Sequence, residues 1–134
     1  EYKSTGWYVV IMKHTRRKLG RQGEQIAAVY LQRHGYTIVE HNWRCPLGEV
    51  DIVARDGNCW VFVEVRAWRP GQYGTPEASI TPRKQAKMLE VAQSYLQTTG
   101  LDDVDWRIDV VAIEMDDAAQ VKRLNHIRNA VEAC

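Results

Sequence analysis

No apolar run in this sequence is long enough to cross a bilayer. The longest early one, WYVVIM at residues 7–12, falls well short of the about 20 residues that a spanning helix needs. Its basic residues follow it rather than precede it, the reverse of a secretory signal. Cysteine is scarce and odd in number: Cys45, Cys59 and Cys134 have neither the close spacing of a zinc motif nor the even count of a disulfide framework, which favours a reducing compartment. We therefore expect a cytoplasmic protein with no membrane partner. A strong charge imbalance is absent as well. Eighteen Lys and Arg stand against seventeen Asp and Glu, leaving +1, so bulk charge names no polyanion as partner. No internal repeat or low-complexity linker is visible, and His34, His41 and His126 lack metal-ligand spacing, so they read as structural or exposed.

What is present fits one compact domain: 134 residues, 45% of them apolar, leave room for a single real core. MKHTRRKLG, beginning at Met12, looks like an ordinary protein start. We accordingly divide the chain into an N-terminal extension or vector-derived remnant, 1–12, and one domain, 13–134.

Hydrophobic periodicity predicts a first helix from about Arg17 or Gly20 to His34, with Ala27, Ala28 and Leu31 on its apolar stripe and Gly35 as its stop. Thr37 to Trp43 reads as a strand. Glu49–Arg55 and Cys59–Ala67 alternate with period two around Asp56-Gly57-Asn58, a strong hairpin signal. Residues 69–82 should be a loop, with Thr81 capping and Pro82 opening a second helix that runs to about Leu96. Trp106–Glu114 returns to strand character, and Leu124, Ile127 and Val131 have the spacing of a short final helix. This order predicts an α/β fold, α+β by a looser convention: a mixed sheet whose first three strands form a meander and whose last is joined through a helical crossover.

The hairpin carries the chemistry. Alternation places Val50, Ile52 and Ala54 on one face of its first strand and Glu49, Asp51 and Val53 on the other. With Gly57-Asn58 as a two-residue turn, facing positions put Asp51 opposite Glu64 and Glu49 opposite Arg66, with Cβ atoms about 4.5–5.5 Å apart. Two carboxylates that close need a cation, a shared proton or solvent. Two readings stay open: a solvated or ion-paired sheet face, with Arg66 neutralising an acid, and a site for Mg²⁺ or Mn²⁺, the ions that hard oxygen donors favour. In the second, a backbone carbonyl such as that of Val65 completes the shell, and Arg66 holds phosphate but is a poor base. Glu24 lies on the apolar stripe of the first helix, from which it can reach the sheet, snorkel outward or favour the helix start.

Lys13, Arg16, Arg17, Lys18 and Arg21 place five cations in nine residues. With Arg66, Arg69, Arg83, Lys84 and Lys87 they border one groove if the first helix and the long loop converge, and phosphate contacts would then dominate binding. Trp43, Trp68 and Tyr73 suit either stacking on unpaired bases or core anchoring. Arg107 and Asp109 share a strand face, where a local ion pair is the simpler account.

GRQGEQIAAVYLQRHGY at 20–36, NWRCPLGEVDIVARDG at 42–57, VFVEVRAW at 61–68, SITPRKQAKMLEVAQSYL at 79–96, WRIDVVAI at 106–113 and LNHIRNAV at 124–131 together resemble the YraN-like family of bacterial proteins. In its core that family is similar to the restriction-endonuclease superfamily and to archaeal Holliday-junction resolvases. The resemblance implies a restriction-endonuclease-like sheet flanked by helices and a metal pattern that falls on Glu24, Asp51 and Glu64, with Val65 between Glu64 and Arg66. It also implies that Arg66 stands where such enzymes usually carry Lys and that Asp109 supports the site; we expect Lys84 or Lys87 to substitute for that Lys from the second helix and Glu49 to support the site as well. The function implied is a Mg²⁺- or Mn²⁺-dependent endonuclease on structured, branched or single-stranded DNA, acting as a homodimer. A DNA-binding protein without chemistry and a structural or protein-interaction domain are the alternatives.

Overall fold

In the computed structural model, residues 5–72 and 74–131 are described, with side chains from residue 18 onward. The elements follow the order α1 (Thr5–Arg33), β1 (Thr37–Cys45), β2 (Gly48–Asp56), β3 (Cys59–Trp68), a short 3₁₀ turn (Glu77–Ser79), α2 (Pro82–Thr98), β4 (Trp106–Met115) and β5 (Val121–Ile127). No helix among the described residues is long and apolar enough to cross a membrane.

The five strands form one mixed sheet in the order β1-β2-β3-β4-β5. β1, β2 and β3 make an antiparallel meander, β3 and β4 run parallel, and β4 and β5 are antiparallel. A parallel neighbour requires a crossover, and α2 supplies it. Thr81 caps α2 by accepting the Lys84 N–H at 3.1 Å, with Pro82 in the first turn. One helix covers each face. Ala27, Ala28 and Leu31 of α1 pack on Ile52, Ala54, Val61 and Val63, while Met88, Val91, Ala92 and Tyr95 of α2 pack on Val53, Phe62, Ile108 and Val110. Because β3 and β4 alternate their apolar side chains between these two layers, they are buried on both sides. Each enclosed Val or Ile contributes about 1.5–3 kcal/mol relative to exposure. The result is an α+β fold with a restriction-endonuclease-like arrangement of sheet and helices.

α1 ends as its sequence predicts. Gly35 adopts φ +89° and the Tyr36 N–H reaches back to the Leu31 carbonyl at 3.0 Å, a Schellman closure that also brings Tyr36 and Leu31 into the same core. Its start differs from expectation: the helix begins at Thr5 and runs unbroken past residue 12. The side chains of Lys13, Arg16 and Arg17 lie outside the described residues, as do Tyr73 and Cys134.

The expected final helix is a strand. Leu124 packs against the α1 layer and Ile127 against the α2 layer. A spacing of three puts side chains on one face of a helix but on opposite faces of a strand, and the free edge of β4 makes the strand the better solution. The connection is a tight turn in which the Asp116 carboxylate accepts the N–H groups of Ala118 and Gln120, both at 2.9 Å, with Ala119 at φ +61°.

Candidate metal and nucleic-acid site

The hairpin register is the one its turn dictates. Asp56 faces Cys59, and the pairing continues through Ile52 opposite Val63. There it ends, although β3 stays bonded to β4 as far as Trp68 opposite Glu114. Asp51 therefore sits where β2 parts from β3. Its carboxylate takes over from the ladder by accepting the main-chain N–H of Val65 at 2.8 Å. The same divergence leaves both expected pairings, Asp51 with Glu64 and Glu49 with Arg66, outside the ladder; Glu49 instead lies opposite Arg44 on β1, 3.7 Å from its guanidinium.

β1 is irregular at the same level, although its register against β2 shifts only between Ile38 and Glu40. Pairing passes from His41–Ile52 to Trp43–Val50 without joining Asn42 to Asp51, and Asn42 adopts φ +51°, a left-handed conformation uncommon for a residue with a Cβ. The alternation of β2 is broken at this level. Val50, expected beside Ile52 and Ala54, faces the α2 layer together with Val53.

Glu64 is nearly covered, with its side chain 11% exposed, and stands 3.2 Å from Arg66 Nε and 3.5 Å from Lys84 Nζ. The Arg66 contact has the distance of an ion pair without hydrogen-bond alignment. Burial raises the Glu64 pKa, and the charges of Lys84 and Arg66 oppose that rise. Asp51 is pushed up to about 8, first by burial and then by the charge of Glu64; the Val65 N–H offsets part of this, while Glu24 and Glu49 add to it. Glu64, Glu24 and Glu49 thus all act on Asp51, and the four carboxylates share one electrostatic neighbourhood.

Glu24 reaches this neighbourhood from α1. Gly23, one residue earlier, lets the helix approach β3: a Cβ there would stand 2.8 Å from the Ala67 Cβ and 3.5 Å from a Val65 methyl. The Asn42 side-chain amide donates to Glu24 at 2.9 Å and to Glu49 at 3.3 Å, tying helix, β1 and β2 together at the rim. Among the described residues, no three His, Cys, Asp or Glu side chains are drawn close enough to enclose a metal ion unaided. The donors nevertheless fit a hard divalent cation, because Mg²⁺ is commonly held by one or two carboxylates with water and substrate phosphate filling the remaining positions.

The other expected site residues divide. Lys84, in the first turn of α2, reaches Glu64, whereas Lys87 is half-exposed and pairs with Glu90 at 3.4 Å. Arg69 reaches from the end of β3 to Gln22 of α1 at 3.4 Å, which brings the loop and first helix together. Lys18, Arg21 and Arg83 are exposed. Trp43 stacks edge-on against Tyr95, 5.1 Å between centroids, and so anchors core.

Asp109 is fully buried elsewhere on the sheet. It accepts Arg107 Nε and the Asn129 N–H at 3.0 Å and the Tyr36 hydroxyl at 3.3 Å, and lies 2.8 Å from His126 Nε2. These partners hold its carboxyl below the usual carboxylate range despite burial. None of them is Asp51 or Glu64. The Arg107–Asp109 ion pair follows from their shared strand face; His126 and Tyr36 reach it from distant segments, which no local pattern signals. Asn42 was also missed. Its only sequence mark is a residue tolerant of left-handed backbone within a strand.

Comparison with known proteins adds a family. Residues 23–113 match the model of the Uncharacterised protein family UPF0102. A UPF0102 protein of Geobacter sulfurreducens is 45% identical over 119 residues, covering 89% of this chain and 92% of the relative. Those of Geotalea uraniireducens and Dehalococcoides mccartyi are 48% and 42% identical over 116 and 120 residues; these alignments cover 87% and 90% of this chain and 91% and 98% of the relatives.

Proposed function

The chain belongs to the Uncharacterised protein family UPF0102, and from the carboxylate geometry of this member we propose a Mg²⁺- or Mn²⁺-dependent endonuclease that hydrolyses phosphodiesters in structured or branched DNA and works as a homodimer. One observation carries the reading: Asp51 and Glu64 share a covered position where two strands part, close enough for the charge of Glu64 to add to burial in raising Asp51. In this reading Asp51 and Glu64 hold the cation, with the Val65 carbonyl and Glu24 completing the donor set. The cation, when bound, polarises phosphate and lowers the pKa of water.

The chain's own groups do the rest. Arg66 keeps its proton and offers a planar fork to phosphate oxygens. Lys84 brings a compact ammonium to the Glu64 carboxylate from α2, supplying the position at which Arg66 departs from Lys. Lys18, Arg21, Arg69, Arg83 and Lys87 contact backbone phosphates, with Arg16 and Arg17 as further candidates from α1, which makes binding salt-dependent and weakly sequence-selective.

A DNA-binding protein without cleavage is the second reading, favoured by the engagement of Glu64 with two cations already. Incubation of branched, single-stranded and duplex DNAs with Mg²⁺ or Mn²⁺ separates the two. The nuclease reading expects cleavage that is lost in D51N and E64Q; binding that survives both substitutions, with no nicking by the wild-type protein, supports the alternative.

A further inference from the structure

Among the described residues, Asn42 touches the two rim carboxylates at once. Its Nδ2 lies 2.9 Å from Glu24 Oε1 and 3.3 Å from Glu49 Oε2, so its two amide hydrogens bridge a helix and a strand. An acid on α1 and an acid on β2, both raising the charge density around Asp51, repel each other. Nothing in their own elements holds them together: α1 lies over β3 through Gly23, and β2 has parted from β3 at this level. A neutral double donor between two carboxylates relieves that repulsion without consuming their charge, whereas a Lys or Arg there would neutralise it.

The backbone of Asn42 is as specific as its side chain. At φ +51° it occupies the left-handed region, in the middle of an edge strand and at the one level where β1 fails to pair with Asp51. Conformations of this kind persist only where surrounding structure imposes them, and they gather at functional sites. Opposite it, Asp51, whose carboxylate accepts the Val65 N–H, is likewise left out of the β1–β2 ladder. Backbone and side chain serve one place.

We propose that Asn42 is a positioning residue of the site, holding Glu24 and Glu49 beside Asp51 so that an incoming divalent cation meets a gathered acidic rim. This deepens the metal-dependent reading above and rests on it for the cation. Asn42 acts through Glu24 and Glu49 and touches no reacting atom. Supporting groups of this kind typically change metal affinity by about 10–100-fold when removed.

N42G tests the side chain while retaining a residue at ease at positive φ. Mn²⁺ binding, followed by electron paramagnetic resonance of the free ion, is measured for wild type, N42G, E24Q and the double variant. The expected result is about a tenfold weakening in N42G with Tm unchanged to within about 3 °C, and less than about a twofold further effect of N42G in the E24Q background. Equal effects in both backgrounds, or no effect in either, overturn the proposal.

A second measurement needs no substitution at Asn42. The side-chain amide of ¹⁵N-labelled wild-type protein should give resolved signals for position 42 that move in E24Q; signals at ordinary solvent-exposed positions, unmoved by E24Q, overturn the proposal whether or not N42G folds. If wild-type protein binds no Mn²⁺, the metal reading fails by itself, and the amide signals then decide whether Asn42 holds the rim.

Discussion

The main-chain N–H of Val65 donates to the Asp51 carboxylate at 2.8 Å, just past the point where β2 ceases to pair with β3. That bond lets a strand end without an orphaned donor, and it fixes a buried acid next to Glu64. Asparagine retains an acceptor oxygen for Val65 and removes the charge, so D51N should fold.

The sign of the resulting pH dependence follows from the raised pKa. Asp51 holds its proton in the folded protein to about 8, against a reference of 3.8, so between these values the native state binds more protons than the unfolded one and stability falls as pH rises. In metal-free buffer, D51N should lack this contribution to the slope and exceed wild type above pH 8 by on the order of 1–3 kcal/mol. Urea denaturation across pH 4 to 9 checks it; parallel curves for the two proteins would contradict the assignment.

Glu77 gives the opposite sign. Arg123 grips it with two bonds, at 2.7 and 2.8 Å, and Asn125 adds a third at 2.9 Å, which lowers its pKa from 4.5 to about 2. The stabilisation is present above 4.5 and lost as pH falls toward 2. Because the group is partly exposed, solvent screening limits it to under about 1 kcal/mol. E77Q should therefore unfold at slightly lower temperature than wild type at pH 7, with the difference shrinking in high salt and vanishing near pH 2.

Asp109 should matter for stability and little for the cation. D109A leaves Arg107 facing a buried vacancy and should cost about 3–5 kcal/mol, while H126A, which removes one hydrogen-bond partner, should cost about 1–3 kcal/mol. Chemical denaturation gives both numbers. Mn²⁺ affinity in folded H126A should equal that of wild type, and a large loss would link this network to the site.

Gly23 tests the packing that delivers Glu24. A Cβ 2.8 Å from the Ala67 Cβ overpacks a helix–sheet contact, and such insertions cost about 1–3 kcal/mol. G23A should show this loss of stability together with weaker Mn²⁺ binding, because α1 must lift from β3; unchanged values for both would contradict the close approach.

What the sequence made legible was what local rules control. The Asp56-Gly57-Asn58 turn fixed the hairpin register, Thr81-Pro82 marked the start of α2, and Gly35 marked the end of α1. The tail was misread because Leu124 and Ile127 satisfy helical spacing while feeding two different layers of a strand. The placement of Val50 failed because alternation assumes an unbroken strand, whereas Val50 and Val53 both face the α2 layer with Asp51 left out of the β1 ladder between them. Glu24 could be placed on the apolar side of its helix, but its partner, eighteen residues away in sequence, depends on the tertiary approach that Gly23 allows. Apart from Arg107 on its own strand, the partners of Asp109 come from the segment after α1, from β5 and from the turn after β5, and meet only in the folded sheet.

Isothermal titration of wild type, D51N and E64Q with Mn²⁺, at pH 8.5 and low salt, tests the central claim most directly. A single class of sites in the wild-type protein, lost or weakened at least about tenfold in each variant, is the expected result. Absence of binding by wild type, or the same affinity in all three proteins, would contradict a cation held between Asp51 and Glu64.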